Sequence, residues 1–394
     1  MDVSRELMKL ERFAPVLDAL PGPAYLVGGS VRDLLLDLPD RFDVDLAVVG
    51  DGEQFARELA ERIGGTAVTH GKFGTATVRY EGGAHVDVAT ARTETYAAPA
   101  ALPEVAPAAT IEDDLRRRDF TVNAMAVSLP GGELVDPHQG RRDLELRCIR
   151  VLHDRSFVDD PTRLFRAARY EVRLAFALDA WTEGLVPAAL RYVEELSGAR
   201  IRDELYAILD EALAERVLVR LHALGVDEAA GVSFPAHAGL LSRLQELSDL
   251  YDLGLSPQRL GLLAIDAPVG RLDELKVPRQ LVTSVERAHG EAASLRARLE
   301  DARTGAAIVE QVEHSGPDTA LYALAVDDSP PLREYFEQLR DVRLEVDGDD
   351  LAALGLAESP RVGEVLGELR RRKLNGDVRT REAELAAARE LIAE

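Results

Sequence analysis

The sequence predicts an α+β fold, with a mixed β-sheet head over residues 1–150 followed by an all-helical remainder. Three observations carry this expectation. Short apolar runs with strand-type alternation are confined to the first 150 residues. From about residue 157 the pattern is helical, in Leu/Ala/Glu/Arg-rich segments punctuated by Gly and Pro. A chain of 394 residues with 46% hydrophobic content is long enough for two or more cores.

In chain order, Tyr25-Leu26-Val27 reads as a strand that runs into Gly28-Gly29-Ser30, with Val31–Leu38 helical after it. Val44–Val49 reads as a strand in which Val44, Leu46 and Val48 alternate with Asp43, Asp45 and Ala47. Phe55, Leu59 and Ile63 fall four apart on one helical face. Residues 74–80 and 84–90 read as a hairpin around Glu81-Gly82-Gly83. Pro99, Pro103 and Pro107 among alanines make residues 93–111 a loop, and strand patterns return at 122–129 and 134–135. Gly225–Gly239, with Pro235, reads as a linker, and a second break falls near Val346–Asp350. The expected domains are therefore a head (1–150), a helical neck (151–224), a helical body (225–345) and a helical tail (346–394).

Composition excludes several classes. Cys148 is the one cysteine, so neither a disulfide framework nor a Cys-based metal site is expected. No apolar run reaches the roughly 18–20 residues a membrane helix needs, and the N-terminus mixes charged with apolar residues, unlike a secretory leader. A cytoplasmic protein with no membrane association is expected, and no obligate protein partner is evident. A net charge of −23 taken alone argues against a nucleic-acid partner. The basic residues are nearly all Arg, however, and they cluster: Arg116–Arg118, then Arg163, Arg166, Arg169 and Arg173 at helical spacing, then Arg370, Arg371, Arg372 and Lys373. A charge run of the last kind is ordinarily a solvated face.

Two features suggest phosphate chemistry. Asp43 and Asp45 lie two apart in a strand and so leave one face, and Asp87 sits in the same alternation on another strand. Strand-borne carboxylates are hard oxygen ligands of the kind Mg²⁺ prefers. Two such ions can activate a 3′-hydroxyl and stabilise a leaving pyrophosphate. Gly28-Gly29-Ser30 lies between a strand and a helix, where backbone N–H groups can approach a phosphate.

Leu26–Asp33, Phe42–Asp45 and Arg117–Ala126 resemble the head of the class II (bacterial-type) tRNA nucleotidyltransferases, close relatives of bacterial poly(A) polymerases. The resemblance continues through Asp136–Gly140, Asp159–Arg169 and the segment from Asp350 to Gly376. It implies a nucleotidyltransferase-type head, two Mg²⁺ ions, and ATP and CTP as substrates. By the same resemblance Asp43 and Asp45 would hold the metals, with Asp87 as a supporting acid. Gly28, Gly29, Ser30 and Arg32 would hold the triphosphate, and Arg117 and Arg118 would add phosphate or pocket contacts. Asp119 would accept from the ribose hydroxyl, with Asn123 supporting it.

Asp160 and Arg163 would read the base edge. A carboxylate accepts from the exocyclic amine of cytosine or adenine, and an Arg donates to ring acceptors. Uracil and guanine would set a carbonyl against the carboxylate. Asp160 before Pro161 is equally a good helix N-cap. Arg166 and Arg169 would continue that face, and Arg200 and Arg202 are weaker candidates.

The implied activity is template-independent addition of CMP and AMP to the tRNA 3′ end, building or repairing CCA. Body and tail would grip the acceptor stem and elbow, with Arg370–Lys373 on phosphate. Alternatives are an A-adding enzyme acting on CC-ended tRNA, a poly(A) polymerase, or a catalytically inactive tRNA-binding module. The 93–111 segment is of ordinary length, which disfavours CC-only addition.

Overall fold

The structure is a computed structural model that describes residues 13–38, 44–70, 74–233, 239–268 and 270–393. It divides into two compact units, Met1–Gly231 and Val232–Glu394.

The first unit is built on a seven-stranded sheet of order β3-β4-β5-β2-β1-β8-β9. Its strands are β1 (Ala24–Val27), β2 (Val44–Val48), β3 (Thr66–Thr69), β4 (Thr75–Arg79), β5 (His85–Thr90), β8 (Ala126–Leu129) and β9 (Leu134–Val135). β2 and β5 run parallel, while the other neighbours are antiparallel, so the sheet is mixed as expected. The hairpin of β4 and β5 turns through a 3₁₀ turn at Glu81–Gly83.

Both faces of β2 are covered, which the alternation alone does not reveal. Val44, Leu46 and Val48 are buried on one face, where α3 (Gly52–Ile63) brings Phe55 and Leu59 against the sheet. α3 starts on an Asp51 carboxylate that accepts from the Gln54 N–H and ends at Gly64 in the left-handed region. Ala47 was expected on the polar face beside the aspartates. It is instead buried with Val27, Ala126, Ile111 and Leu115, because α4 (Ile111–Arg116) lies over that face. Thr110 and Asp113 close a reciprocal capping box at the start of α4. Asp45 thus shares its face with the helix that leads into Arg116–Arg118.

Residues 93–111 are not simply a loop. β6 (Arg92–Thr95) and β7 (Glu104–Pro107) pair as an antiparallel ribbon. The prolines are compatible with it because Pro107 closes the ribbon end against Arg92, while Pro99 and Pro103 fall in the connection. The strand expected over 122–129 begins only at Ala126, because Thr121–Asn123 form a 3₁₀ turn. Strand pairing also persists past residue 157: β10 (Cys148–Ile149) and β11 (Ala177–Leu178) pair in parallel.

The rest of the first unit is helical: α5 (Gly140–Glu145), α6 (Ser156–Asp159), α7 (Thr162–Leu174), α8 (Ala180–Ala189), α9 (Gly198–Leu209), α10 (Ala214–Ala223) and α11 (Val226–Ala229). α7 packs against α9 and α10, and Leu164, Phe165, Ala168, Ile201, Leu205 and Val217 on these helices are buried. α11 occupies part of the stretch read as a linker, whose Pro235 lies outside the described residues.

The second unit is helical, with Arg279–Glu300 packed along Pro317–Val326 and Gly305–Ser315. Toward its C-terminal end, Val346, Leu351, Val365, Leu369, Val378, Ala387 and Ala388 form a separate core. No described helix is long and apolar enough to cross a membrane.

Candidate active site

α2 (Gly29–Leu35), α7, α9 and the segment that follows α4 border a cavity of about 530 Å³. Gly28, Gly29, Ser30, Arg32, Asp45, Arg117, Arg118, Asp119, Asn123, Asp160, Arg163 and Arg166 all line it, so twelve residues singled out from sequence meet at one place. Asp87 and Arg169 are not among the lining residues. Asp43 lies outside the described residues.

Gly28 caps α2 at φ +67°, a left-handed conformation that disfavours side chains, and a Cβ there would stand 2.6 Å from Arg118 Nη1. Glycine is favoured here by conformation, and any side chain would also have to displace the tip of Arg118. Ser30 Oγ donates to Asp45 Oδ2 at 3.3 Å and accepts from the Asp45 N–H at 3.2 Å, tying the turn to β2. Asp45 is the register partner of Asp87 across the parallel β2–β5 pair, so both carboxylates leave the same face. Thr77 Oγ1 donates to Asp87 at 2.6 Å and holds it. Two oxygen-donor carboxylates on one face fit a hard divalent cation.

Arg32 is 3% exposed. It donates in bidentate fashion to Asp33 at 2.8 and 2.9 Å and to Asn123 Oδ1 at 2.6 Å. Asn123 Nδ2 in turn donates to Asp119 at 3.0 Å. Asp119 therefore sits at the end of a buried relay that starts in the glycine turn. Its Oδ1 also accepts from the Phe120 N–H, and its Oδ2 accepts from Arg166 Nε at 2.8 Å and from Nη2. Burial pushes the Asp119 carboxyl up, but Arg166 and the Asn123 amide outweigh it and hold it down at about 2. Both oxygens already carry protein donors, so a ribose hydroxyl would have to share them.

Arg117 and Arg118 share one acid. Asp114, 1% exposed, accepts from Arg117 Nη2 at 2.7 Å and from Arg118 Nη2 at 2.8 Å. Burial raises the Asp114 carboxyl, while Arg118 and Arg117 pull it below the usual carboxylate range. Glu94 on β6 takes Arg117 at 3.2 Å, Arg92 at 2.8 Å and the Tyr96 hydroxyl at 3.0 Å, fastening the ribbon to the same wall. Arg116 points elsewhere, to Asp113.

The Asp160/Arg163 pair faces the cavity, and Asp160 also holds the start of the helix, although the N-cap position itself falls on Pro161. Asp160 Oδ1 accepts from the Thr162 N–H at 3.1 Å and from Thr162 Oγ1 at 2.6 Å. The helix begins at Thr162, one residue later than the Asp-Pro pattern predicts. Arg200 Nη2 donates to the same oxygen at 2.7 Å while Nη1 donates to the Ala100 carbonyl at 2.9 Å. Arg200 thus belongs to this site, whereas Arg202 pairs with its neighbour Asp203 on the helix surface. Arg163, 4% exposed, donates to the Arg117 carbonyl at 2.8 Å. Arg169 lies beside Tyr170, whose ring has the guanidiniums of Arg32, Arg166 and Arg169 at 5.3, 5.5 and 5.6 Å.

Sequence reasoning missed Asp114, Glu94, Tyr96, Tyr170 and Glu204, while Arg173, noted only as part of the helical Arg pattern, also lines the cavity. Asp114 was findable: it stands three and four residues before Arg117 and Arg118, the spacing of helical ion pairs. Glu94 and Tyr96 were hidden inside the stretch read as a loop.

The run Arg370–Lys373 is paired throughout. Arg370 meets Glu313 at 2.6 Å, Arg371 meets Glu368 at 2.9 Å, Arg372 meets Glu368 and Glu390, and Lys373 meets Glu345 and Glu384. Acids of neighbouring turns and helices therefore face the whole run.

A glycine turn, strand carboxylates and a guanidinium-rich pocket on a mixed sheet define a nucleotide-binding head, and residues 24–150 match the family described as the poly A polymerase head domain. The chain is 32% identical to an A-adding tRNA nucleotidyltransferase of Halalkalibacterium halodurans, over 98% of this chain and 92% of that protein. A CC-adding tRNA nucleotidyltransferase of Deinococcus radiodurans is 34% identical over 92% of this chain and 88% of its own length. An A-adding tRNA nucleotidyltransferase of Geobacter sulfurreducens is 36% identical over 96% of this chain, which spans only 46% of that protein. Among solved structures, a CCA-adding enzyme in an apo form has a TM-score of 0.82 at 31% identity, covering 100% of this chain and 99% of that one. The Thermotoga maritima CCA-adding enzyme complexed with tRNA-CCA has a TM-score of 0.76 at 29% identity, covering 100% and 98%. The chain belongs to the tRNA nucleotidyltransferase family.

Proposed function

We propose that the chain transfers AMP from ATP, and CMP from CTP before it, to the 3′ end of tRNA without a nucleic-acid template. The observation that carries this is the meeting of the glycine turn, Asp45 and the Asp160/Arg163 pair in one cavity. The turn and the guanidiniums of Arg117 and Arg118 bind the triphosphate. Asp160 accepts from the exocyclic amine of adenine or cytosine, and Arg163 donates to the ring acceptors beside it. Asp119, held by Asn123 and Arg166, faces the ribose. The acceptor 3′-oxygen forms a bond to the α-phosphorus, the bond to the bridging oxygen breaks, pyrophosphate leaves, and the hydroxyl proton passes to solvent. Asp43, Asp45 and Asp87 would hold divalent metal ions, Mg²⁺ by their oxygen chemistry, which lower the pKa of the attacking hydroxyl and neutralise the leaving charge.

AMP transfer is common to A-adding and CCA-adding relatives. The CCA reading is supported by solved neighbours described as CCA-adding that match the whole chain. A-only addition is favoured by the relatives named A-adding that match over nine-tenths of it or more. The head would carry the chemistry over 1–150, and the helical neck, body and tail would hold tRNA by its acceptor stem and elbow. Arg370–Lys373 would reach phosphate only by exchanging their carboxylate partners. The setting proposed is the cytoplasm.

Purified protein given tRNAs that end at the discriminator base, at C and at CC, with single labelled nucleotides, decides between these readings. CMP on the first two and AMP on the third is expected for CCA addition. AMP on the third alone marks A-only addition. Equal labelling of unstructured RNA contradicts a tRNA-directed activity.

A further inference from the structure

The cavity has a second polar rung that the reading of the incoming base does not use. α7 and α9 run side by side, and each carries two functional positions one turn apart. On the first rung, Arg163 of α7 and Arg200 of α9 flank Asp160. Glu204 follows Arg200 by one turn, about 5.4 Å along the helix. Arg166, Arg169 and Arg173 continue α7 beyond Arg163. Glu204 and Arg173 both line the cavity.

This second rung is under-satisfied. Glu204 Oε2 is buried and takes no hydrogen bond, and the Arg169 Nε, likewise buried without a hydrogen bond, is turned to Glu211 at 3.7 Å. Glu204 and Arg169 approach each other only to 3.8 Å. Burial, ahead of the opposing Arg166 and Arg169, raises the Glu204 carboxyl above its ordinary range. Desolvated polar groups without partners are costly, and a ligand that supplies the missing donor recovers that cost. Asp119 and Asp160, the other acids of this wall, are already engaged by several protein donors.

We propose that Glu204, with Arg173 lining the same cavity and held by Glu211 at 3.5 Å, forms a subsite for the terminal nucleobase of the acceptor strand and selects a base with an exocyclic amine. The subsite rests on the nucleotidyltransferase reading above and deepens it. Its chemistry repeats that of the first rung: a carboxylate takes the amine hydrogen, and a guanidinium donates to the adjacent ring acceptor. Cytosine and adenine satisfy both groups, whereas uracil sets its carbonyl against the carboxylate. A strand stacked on the incoming nucleotide would place its last base one step along the cavity, where this rung lies.

The test compares AMP transfer to tRNA ending in CC, in CU, and in C followed by a pyrimidinone nucleotide that lacks the amine. The wild-type protein is expected to use the CC end with a kcat/KM at least about tenfold above the other two, the discrimination one hydrogen bond supplies. Glu204→Gln presents an amide that can accept or donate, so the preference for CC over CU is expected to narrow or invert, a gain that misfolding cannot produce. Equal wild-type use of all three ends overturns the subsite, and that arm needs no variant. An unchanged CC:CU ratio in E204Q overturns it as well, as does loss of transfer to every end. Failure of the parent reading looks different, because the wild-type protein then adds AMP to no tRNA.

Discussion

Two basic runs of similar sequence, Arg116–Arg118 and Arg370–Lys373, lead different structural lives. Arg117 and Arg118 converge on a single carboxylate, Asp114, that is 1% exposed, and their guanidiniums form a cavity wall. Arg370, Arg371 and Arg372 are one-third to two-thirds exposed, and Glu313, Glu368 and Glu390 answer them, with Glu368 shared by Arg371 and Arg372. Only Lys373 has a buried partner, Glu384, which also accepts from the Glu345 and Val346 N–H groups and so ties the last helices together. Charge clustering in a sequence therefore says little until the burial of the partner acid is known. A buried acid fixes a cation at one place for a ligand to meet, and an exposed one only solvates it.

The contrast can be broken or sharpened by substitution. The largest effect is expected for the cavity acid that faces chemistry directly. Asp45→Ala should lower AMP incorporation by roughly a thousandfold or more while leaving the thermal transition nearly in place. Full activity in D45A would remove Asp45 from the reaction. Next comes Asp114→Asn, which leaves two guanidiniums over a neutral amide. It should destabilise the fold by about 3 kcal/mol in urea titration and weaken ATP binding. Loss of less than about 0.5 kcal/mol would mean that Asp114 is not what holds the wall.

Asp119 gives a pH test. Its folded-state value of about 2 lies below the ordinary carboxylate range, so its stabilising contribution is present above about pH 4 and disappears as pH falls through 2. That contribution is about 2 kcal/mol, and in Asp119→Asn the acid limb of the stability curve should flatten accordingly. Arg166→Lys keeps the charge but removes the two-pronged contact on Asp119. The ratio of kcat/KM for ATP over 2′-deoxy-ATP should shift by about tenfold, equivalent to ~1.4 kcal/mol. An unchanged ratio would separate Arg166 from the ribose side of the cavity.

The smallest effect belongs to the exposed run. Arg371→Ala removes a side chain that is 64% exposed, and stability should move by no more than about 0.5 kcal/mol. A loss comparable to that of D114N would erase the distinction between the two runs.

Much of this was legible before the fold was seen, because strands and glycine turns announce themselves locally. The alternation of Val44, Leu46 and Val48 around Asp45 follows from a two-residue period. The strand-to-helix turn at Gly28-Gly29-Ser30 is read from its composition, though the left-handed conformation of Gly28 is not. Twelve residues that line one cavity could be picked from four separate stretches, most of them because their motifs resemble those of the tRNA nucleotidyltransferases. Their mutual partners were harder to see. The Arg200–Asp160 pair spans 40 residues and the Arg166–Asp119 pair spans 47, and no local rule links such positions. Glu94 went unnoticed because three prolines made its segment look irregular, although a ribbon tolerates proline at its end and in its connection. Glu204 offered no motif at all; its interest comes from a buried oxygen without a hydrogen bond, which only packing creates.

The central claim is that one cavity binds a triphosphate at the glycine turn and accepts only amine-bearing bases at Asp160 and Arg163. It is tested most directly by giving CC-ended tRNA and each of the four labelled ribonucleoside triphosphates singly to the wild-type protein. The expected result is incorporation of a single AMP, with GMP and UMP at background. Incorporation of UMP or GMP at rates comparable to AMP, or no incorporation of AMP at all, would contradict it.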